Sequence, residues 1–290
     1  MVLEPKIVYE DKDFLVLDKP AGLLIHRARF DVRSKKLDDR ELDVRSRRVD
    51  DKTSNIQHLT SDSAEGTLVD WLLKNYPEVR KVGDAPEERP GIVHRLDRDT
   101  SGVILVARNQ DYFLYLKSLF QEHKVEKTYL ALVFGKFKEK EGTIDKPIGI
   151  KSGTTKRSVH SQKMVKEAVT EYEVVSYSMY HVACNRKQKT KHKDCHFSLL
   201  KVYPKTGRTH QIRVHLASIG HPVVGDKLYA GGKKLDAGGR MLGVKRLMLH
   251  ALSLEFSSRD GERLKFEAEP PSDFLDILKN LEESKSATPH

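Results

Sequence analysis

The segment His94-Arg95-Leu96-Asp97-Arg98-Asp99-Thr100-Ser101-Gly102 sets a carboxylate between two guanidiniums on a turn-like stretch. It runs straight into Val103-Ile104-Leu105-Val106-Ala107, an apolar run that reads as a buried strand. A carboxylate beside fixed positive charge stays ionised at neutral pH, because the opposite charge favours its charged form. Asp97 therefore has the chemistry of a nucleophile or of a base, and the spacing leaves both open. The plainer reading of such a stretch is a polar loop tied by local ion pairs, Arg95 with Asp99 among them.

Several elements must position that loop. Ile7 to Glu10 and Phe14 to Asp18 read as short strands around an acidic turn, and Lys19-Pro20-Ala21-Gly22 breaks the pattern. Thr67 to Tyr76 has helical spacing, with Leu68, Trp71, Leu72 and Tyr76 on one side; Trp71 is read as core rather than as a platform for a base. A second helix is expected from Asp111 to His123, with Phe113, Leu116, Leu119 and Phe120 facing inward. Strands are expected at Lys127 to Phe134, Val169 to Ser176, Phe197 to Tyr203 and Leu247 to Phe256, and a short helix at Phe274 to Leu281. Runs of strands flanked by helices, without strict alternation, indicate an α+β fold.

Residues 27 to 62 differ in kind, with ten basic and eight acidic residues and few large apolar ones. Asp31 to Arg40 recurs as Asp43 to Lys52, a charged unit duplicated at a twelve-residue spacing. Two copies are too few to stack into a solenoid, so a mobile, charge-balanced insertion is expected, with an RNA-touching arm as the functional alternative. The organisation expected is one domain over 1–275 containing this insertion, and a C-terminal tail over 276–290.

The 290 residues carry a net charge of +10, which favours a polyanionic partner, nucleic acid first. The basic stretches 151–166 and 186–193 are the natural grip. No apolar run is long enough to span a bilayer and no signal peptide opens the chain; two cysteines make no disulfide framework. A cytoplasmic setting is expected. Cys184, His192, Cys195 and His196 raise the possibility of zinc, but ten residues separate the two cysteines, unlike the close pairs of structural zinc sites. No metal and no Gly-rich phosphate loop is expected.

Five elements follow one another in order. They are Asp18-Lys19-Pro20-Ala21-Gly22-Leu23, Pro90-Gly91-Ile92-Val93, the His94 to Gly102 loop, Lys127-Thr128-Tyr129-Leu130-Ala131, and Thr206 to His215 with Gly220 to Asp226. Together they resemble the RluA-type RNA pseudouridine synthases. The resemblance implies a catalytic fold with a mixed or antiparallel central sheet, flanking helices and a cleft between two sub-lobes. It also implies a cofactor-free isomerisation of uridine to pseudouridine in structured ribosomal or transfer RNA. That reaction breaks the N1–C1′ bond, turns the uracil and rejoins it through C5. It needs a carboxylate near the sugar, a group to handle the C5 proton and a pocket for the freed base.

On the matching positions the resemblance makes Asp97 the catalytic carboxylate, attacking C1′ or taking a proton from C2′. Tyr129 stacks on the base and moves the C5 proton, since a phenol has both a π-face and a titratable hydroxyl. Arg213 pairs with Asp97. Arg95 fills the space left by the extruded base, a planar guanidinium replacing part of the lost stacking. Leu249 is an apolar wall under the uracil or a core residue. Arg208, His210 and His215 support the strand that carries Arg213 or touch phosphate. Many members carry a small RNA-binding S4 domain first; this chain is expected to lack one and to act as a monomer with RNA as partner. The rival reading is a non-catalytic RNA-binding protein on the same scaffold, which would have no use for Asp97, Tyr129 and Arg213 together. A nucleic-acid hydrolase would need metal-binding carboxylates or a His/Lys dyad.

Overall fold

The computed structural model describes residues 3–27, 66–151, 154, 156–180, 195–231 and 242–286. The duplicated unit at 31–52, the basic stretch 186–193, and Cys184 and His192 lie outside the described residues. In chain order the strands are β1 Lys6–Glu10, β2 Phe14–Lys19, β3 Ser101–Ala107, β4 Glu126–Phe134, β5 Glu141–Asp145, β6 Gly149–Ile150, β7 Arg157–Ser158, β8 Val169–Tyr180, β9 Cys195–Pro204, β10 Leu249–Ser257 and β11 Arg263–Glu267. The helices are α1 Leu68–Asn75, α2 Gln110–Gln121, α3 Gln211–Ser218 and α4 Ser272–Ser286.

The first two apolar runs pair antiparallel. The acidic turn between them closes because Asp11 Oδ1 accepts from the amides of Asp13 and Phe14 at 2.7 and 2.8 Å. Nine of the described strands form one mixed sheet in the order β1-β2-β3-β10-β4-β9-β8-β5, with β11 added to β10. β6 and β7 pair separately.

Gly102 governs how the halves of the sheet join. It lies where β3 and β10 run parallel, opposite Ala251, at φ +112°, and a Cβ there would overlap the Ala251 carbonyl oxygen. Only glycine permits both the backbone conformation and the close approach. Beyond this point β10 turns to β11, and the edge of β3 is covered by the residues leading to Asp97. The Ala107 amide donates to Gly91 O at 2.8 Å, Ile92 bridges Val106, and the Leu105 amide donates to His94 Nε2 at 2.9 Å. The Asp97 loop is thus anchored to the same strand before and after the carboxylate.

Core residues separate into groups matching two sub-lobes. α1 packs with Leu15, Leu17, Ile104 and Val106 on one face of the β2–β3 sheet, and α2 with Phe14, Val16, Val103 and Leu105 on the other. Thr67 and Asp70 form a capping box at the start of α1, and Asn109 caps α2. Trp71 is half-buried at the margin of its cluster, beside Tyr76. The second sub-lobe is built on β4, β9 and β8 with α3 and α4.

Two expectations need correction. Gln211 to Ser218 is a helix, not an arginine-bearing strand. Ile212 and Val214 alternate with Arg213 and His215 as a strand would, but Gln211 to Leu216 are all buried. A helix wrapped by protein on every side has no polar stripe to betray its period. The boundary at 275/276 falls inside α4, whose Phe274, Ile277 and Leu281 are buried in the second sub-lobe's core, so at least this part of the expected tail belongs to the domain.

Candidate active site

The Asp97 loop is held from below by Lys19. This side chain is fully buried at the end of β2, and its Nζ donates to the carbonyls of Pro20, Leu23 and Arg98, each at 2.9 Å. The Gly22 amide also donates to Arg98 O at 2.8 Å, and Arg98 Nε returns a bond to Gly22 O at 2.9 Å. Burial pulls the Lys19 ammonium down to about 7, against the opposing charges of Asp99 and Asp97. The break after β2 and the Asp97 loop are therefore one structural unit.

Arg213, on α3, reaches Asp97 from the other sub-lobe, its Nη1 donating to Asp97 Oδ2 at 2.9 Å. The rest of the guanidinium is taken by Asp226: Nε to Oδ2 at 2.7 Å and Nη2 to Oδ1 at 2.9 Å. Asp226 is completely buried, and its Oδ1 also accepts from the amides of Leu228 and Tyr229. Gly225 makes that turn possible, at φ +77°, where a Cβ would overlap the Arg246 carbonyl oxygen. Burial works against the Arg213 charge, but the carboxylates of Asp226 and then Asp97 outweigh it and hold the guanidinium above its ordinary value. The Tyr229 ring lies 5.1 Å from Arg213.

His210 enters α3 in the left-handed conformation, φ +57°. Its Nδ1 is 2.9 Å from the Tyr229 hydroxyl, which also accepts from the Arg157 amide, and its Nε2 is 3.9 Å from Asp97 Oδ1. Burial lowers its basicity, partly opposed by Asp97. Gln211 fixes the helix start: Oε1 accepts from Thr206 Oγ1 and the Arg208 amide, and Nε2 donates to Val169 O and Thr170 Oγ1. His215 is scaffold. Its Nε2 meets Lys146 O, which can only accept, so Nδ1 accepts from the Thr170 hydroxyl.

Asp97, Tyr129, Arg213, Arg95, Arg208, His210 and Leu249 all line one cleft of about 780 Å³. Tyr129 stands on β4 between Ala251 and Val202. Burial, and then the Asp97 charge, keep its phenol well above the ordinary value, so it is neutral at working pH. Leu249 opens β10 as a buried wall of the cleft; Arg246 to Met248 precede the strand. Arg95 is exposed, and among the described residues it has no ion pair with Asp99. Arg208 is half-buried at the mouth, with Nε on Glu167 O at 2.9 Å.

Lys19, Asp226 and Tyr229 are the site residues that sequence reasoning missed. The first two sit inside resemblance motifs, Lys19-Pro20 and Gly225-Asp226, and a charged residue beside a turn-making Pro or Gly was the available signal. Among the described residues no group of three His, Cys, Asp or Glu could hold a metal ion.

Residues 13–218 match the family model for RNA pseudouridylate synthase. The chain belongs to this family. It is 36% identical over 281 residues to an uncharacterized RNA pseudouridine synthase of Aquifex aeolicus (strain VF5), covering 96% of this chain and 73% of that protein. It is 34% identical over 292 residues to the ribosomal large subunit pseudouridine synthase D of Pseudomonas aeruginosa, covering 98% and 74%. The solved structure of human RNA pseudouridylate synthase domain containing 1 superposes with a TM-score of 0.63 at 25% identity, covering 100% of this chain and 97% of that one. The protein is an RNA pseudouridine synthase, an isomerase whose substrate is RNA. No helix of the described residues is long and apolar enough to cross a membrane.

Proposed function

We propose that this enzyme isomerises a specific uridine in structured ribosomal or transfer RNA, with Asp97 acting at the ribose, Tyr129 stacked on the uracil and Arg213 orienting Asp97. The observation that carries this reading is the 2.9 Å Arg213–Asp97 ion pair in a cleft that Tyr129 also lines. Asp97 serves by attack on C1′ or by removing a C2′ proton; both need the same ionised oxygen in the same place. Leu249 walls the uracil, Arg95 takes the room the extruded base leaves in the RNA, and Arg208 and His210 face the sugar–phosphate backbone. Large-subunit ribosomal RNA is the first target to examine, since relatives bear that name. The test maps pseudouridine in total RNA from cells with and without the gene, by carbodiimide-dependent reverse-transcription stops. One stop is expected to vanish with the gene; an unchanged map defeats the reading.

Tyr129→Phe separates stacking from proton handling. A phenol held neutral can donate and stack, but it accepts the C5 proton only by giving up its own, and the charge acting on it is that of Asp97. The variant is expected to bind RNA as wild type does and to lose activity by roughly 10²- to 10⁴-fold, the scale of general acid–base catalysis. Single-turnover release of tritium from C5 measures this. Wild-type rates would leave Tyr129 a stacking surface alone.

A further inference from the structure

The cleft continues beyond the Asp97 centre. β9 pairs with β4 only as far as Tyr129 and Val202. It then leaves through Pro204, which lines the opening with Thr206 and Arg208. The stretch of β4 uncovered there carries Lys127, also in the cleft lining. Lys127 is two residues from Tyr129 on the same strand face, about 7 Å away, close to one nucleotide step of an extended strand. Its partner across β10 is Leu254. Among the described residues its ammonium has no hydrogen-bond or ion-pair partner, and burial pulls it down to about 8. A half-buried cation without a counter-ion is costly unless a ligand supplies the anion.

Beside it lie His94 and Phe120, stacked with centroids 4.7 Å apart and planes at 21°, both in the cleft lining. His94 Nε2 accepts the Leu105 amide, so the ring proton sits on Nδ1. Burial pushes this imidazole down to about 3, so it is a neutral, flat surface with one fixed donor. An unpaired cation one nucleotide step from Tyr129, next to a flat aromatic pair, matches a phosphate and its base.

We propose that Lys127, His94 and Phe120 form a second nucleotide subsite, which takes the RNA nucleotide next to the target uridine with its phosphate on Lys127 Nζ and its base against the Phe120–His94 pair. The inference rests on the RNA pseudouridine synthase reading, and its test needs no turnover, so the two can fail separately.

The probe is 5′-fluorescein hexauridylate, with binding to the full chain read by anisotropy across a range of NaCl concentrations. Lys127→Gln is expected to flatten the log–log salt slope by about 0.7, one phosphate contact on a single strand, and Lys127→Arg to restore it. Phe120→Leu is expected to weaken binding roughly fivefold or more at an unchanged slope, as loss of one stacked base would. A thermal melt checks that it folds, and the Lys127 variants stand independently of it. An unchanged slope or wild-type affinity at every salt concentration in Lys127→Gln overturns the phosphate contact. Wild-type affinity in folded Phe120→Leu overturns the base platform, and no binding of the hexamer by wild type overturns the subsite.

Discussion

Asp97→Asn is expected to lower isomerisation by at least about a thousandfold while RNA affinity stays within about twofold, because on the proposed reading the change removes the reacting group and leaves the phosphate-binding cations in place. The amide has the shape of the carboxylate, and its oxygen still accepts from Arg213 Nη1. The loop keeps its other supports, the bond from Lys19 to the Arg98 carbonyl and the His94–Leu105 bond. Stability is expected to change little, since Asp226 still pairs with the buried guanidinium. What disappears is the ionised oxygen, and an amide is neither a nucleophile nor a base at this position. Tritium release under single-turnover conditions, alongside filter binding of the same RNA, separates the two effects. Substantial turnover by the purified variant would take Asp97 out of the chemistry.

The elements that could be read from the chain are those whose apolar run or stripe has clear local limits. β1, β2, α1, α2 and β4 carry an apolar stripe or run bounded by a turn or cap, and their limits in the structure differ from the sequence reading by a residue or two. The elements missed or misread are of two kinds. β5 and β11 are short and mostly exposed, so their charged residues look like loop. α3 fails for the opposite reason: with both Ile212 and Arg213 buried, polarity no longer reports which side faces the core.

Within the site, the legible residues are those that resemblance places at named motif positions: Asp97, Tyr129, Arg213, Arg95, Arg208, His210 and Leu249 all line the cleft. The residues that hold them were not legible as such. Lys19 ends a strand and would be expected to reach water, yet it turns inward because the carbonyls of Pro20 and Leu23 after β2 and of Arg98 in the Asp97 loop need a donor. The pairing of Asp226 with Arg213 spans two secondary-structure contexts, a turn and a helix, and becomes visible only when α3 is recognised as a helix. Lys127 looks like an ordinary strand-edge lysine until β9 is seen to leave its side.

Asp226→Asn is expected to damage both folding and catalysis. Arg213 is nearly buried, and Asp226 supplies two of its three carboxylate bonds. Removing one partner of a buried pair strands the other charge, at a cost of about 3–5 kcal/mol. The substituted amide would present one acceptor to a guanidinium that has two donors aimed at it, and its own NH₂ would face an Arg N–H. Asp97 would then be the remaining carboxylate on Arg213, and the guanidinium would lose the anchor that aims Nη1 at Asp97 Oδ2. A fall in turnover of about a hundredfold is expected from this misplacement alone. The double variant Arg213→Met/Asp226→Leu tells the two consequences apart. Apolar residues of similar volume can replace a buried ion pair with little loss of stability, so its urea midpoint is expected to recover toward wild type. Its activity is expected to stay low, because nothing then orients Asp97. A midpoint that fails to recover would mean that the pair itself, and not the stranded charge, stabilises the fold. Full activity in folded Asp226→Asn would mean that Asp97 needs no aimed guanidinium.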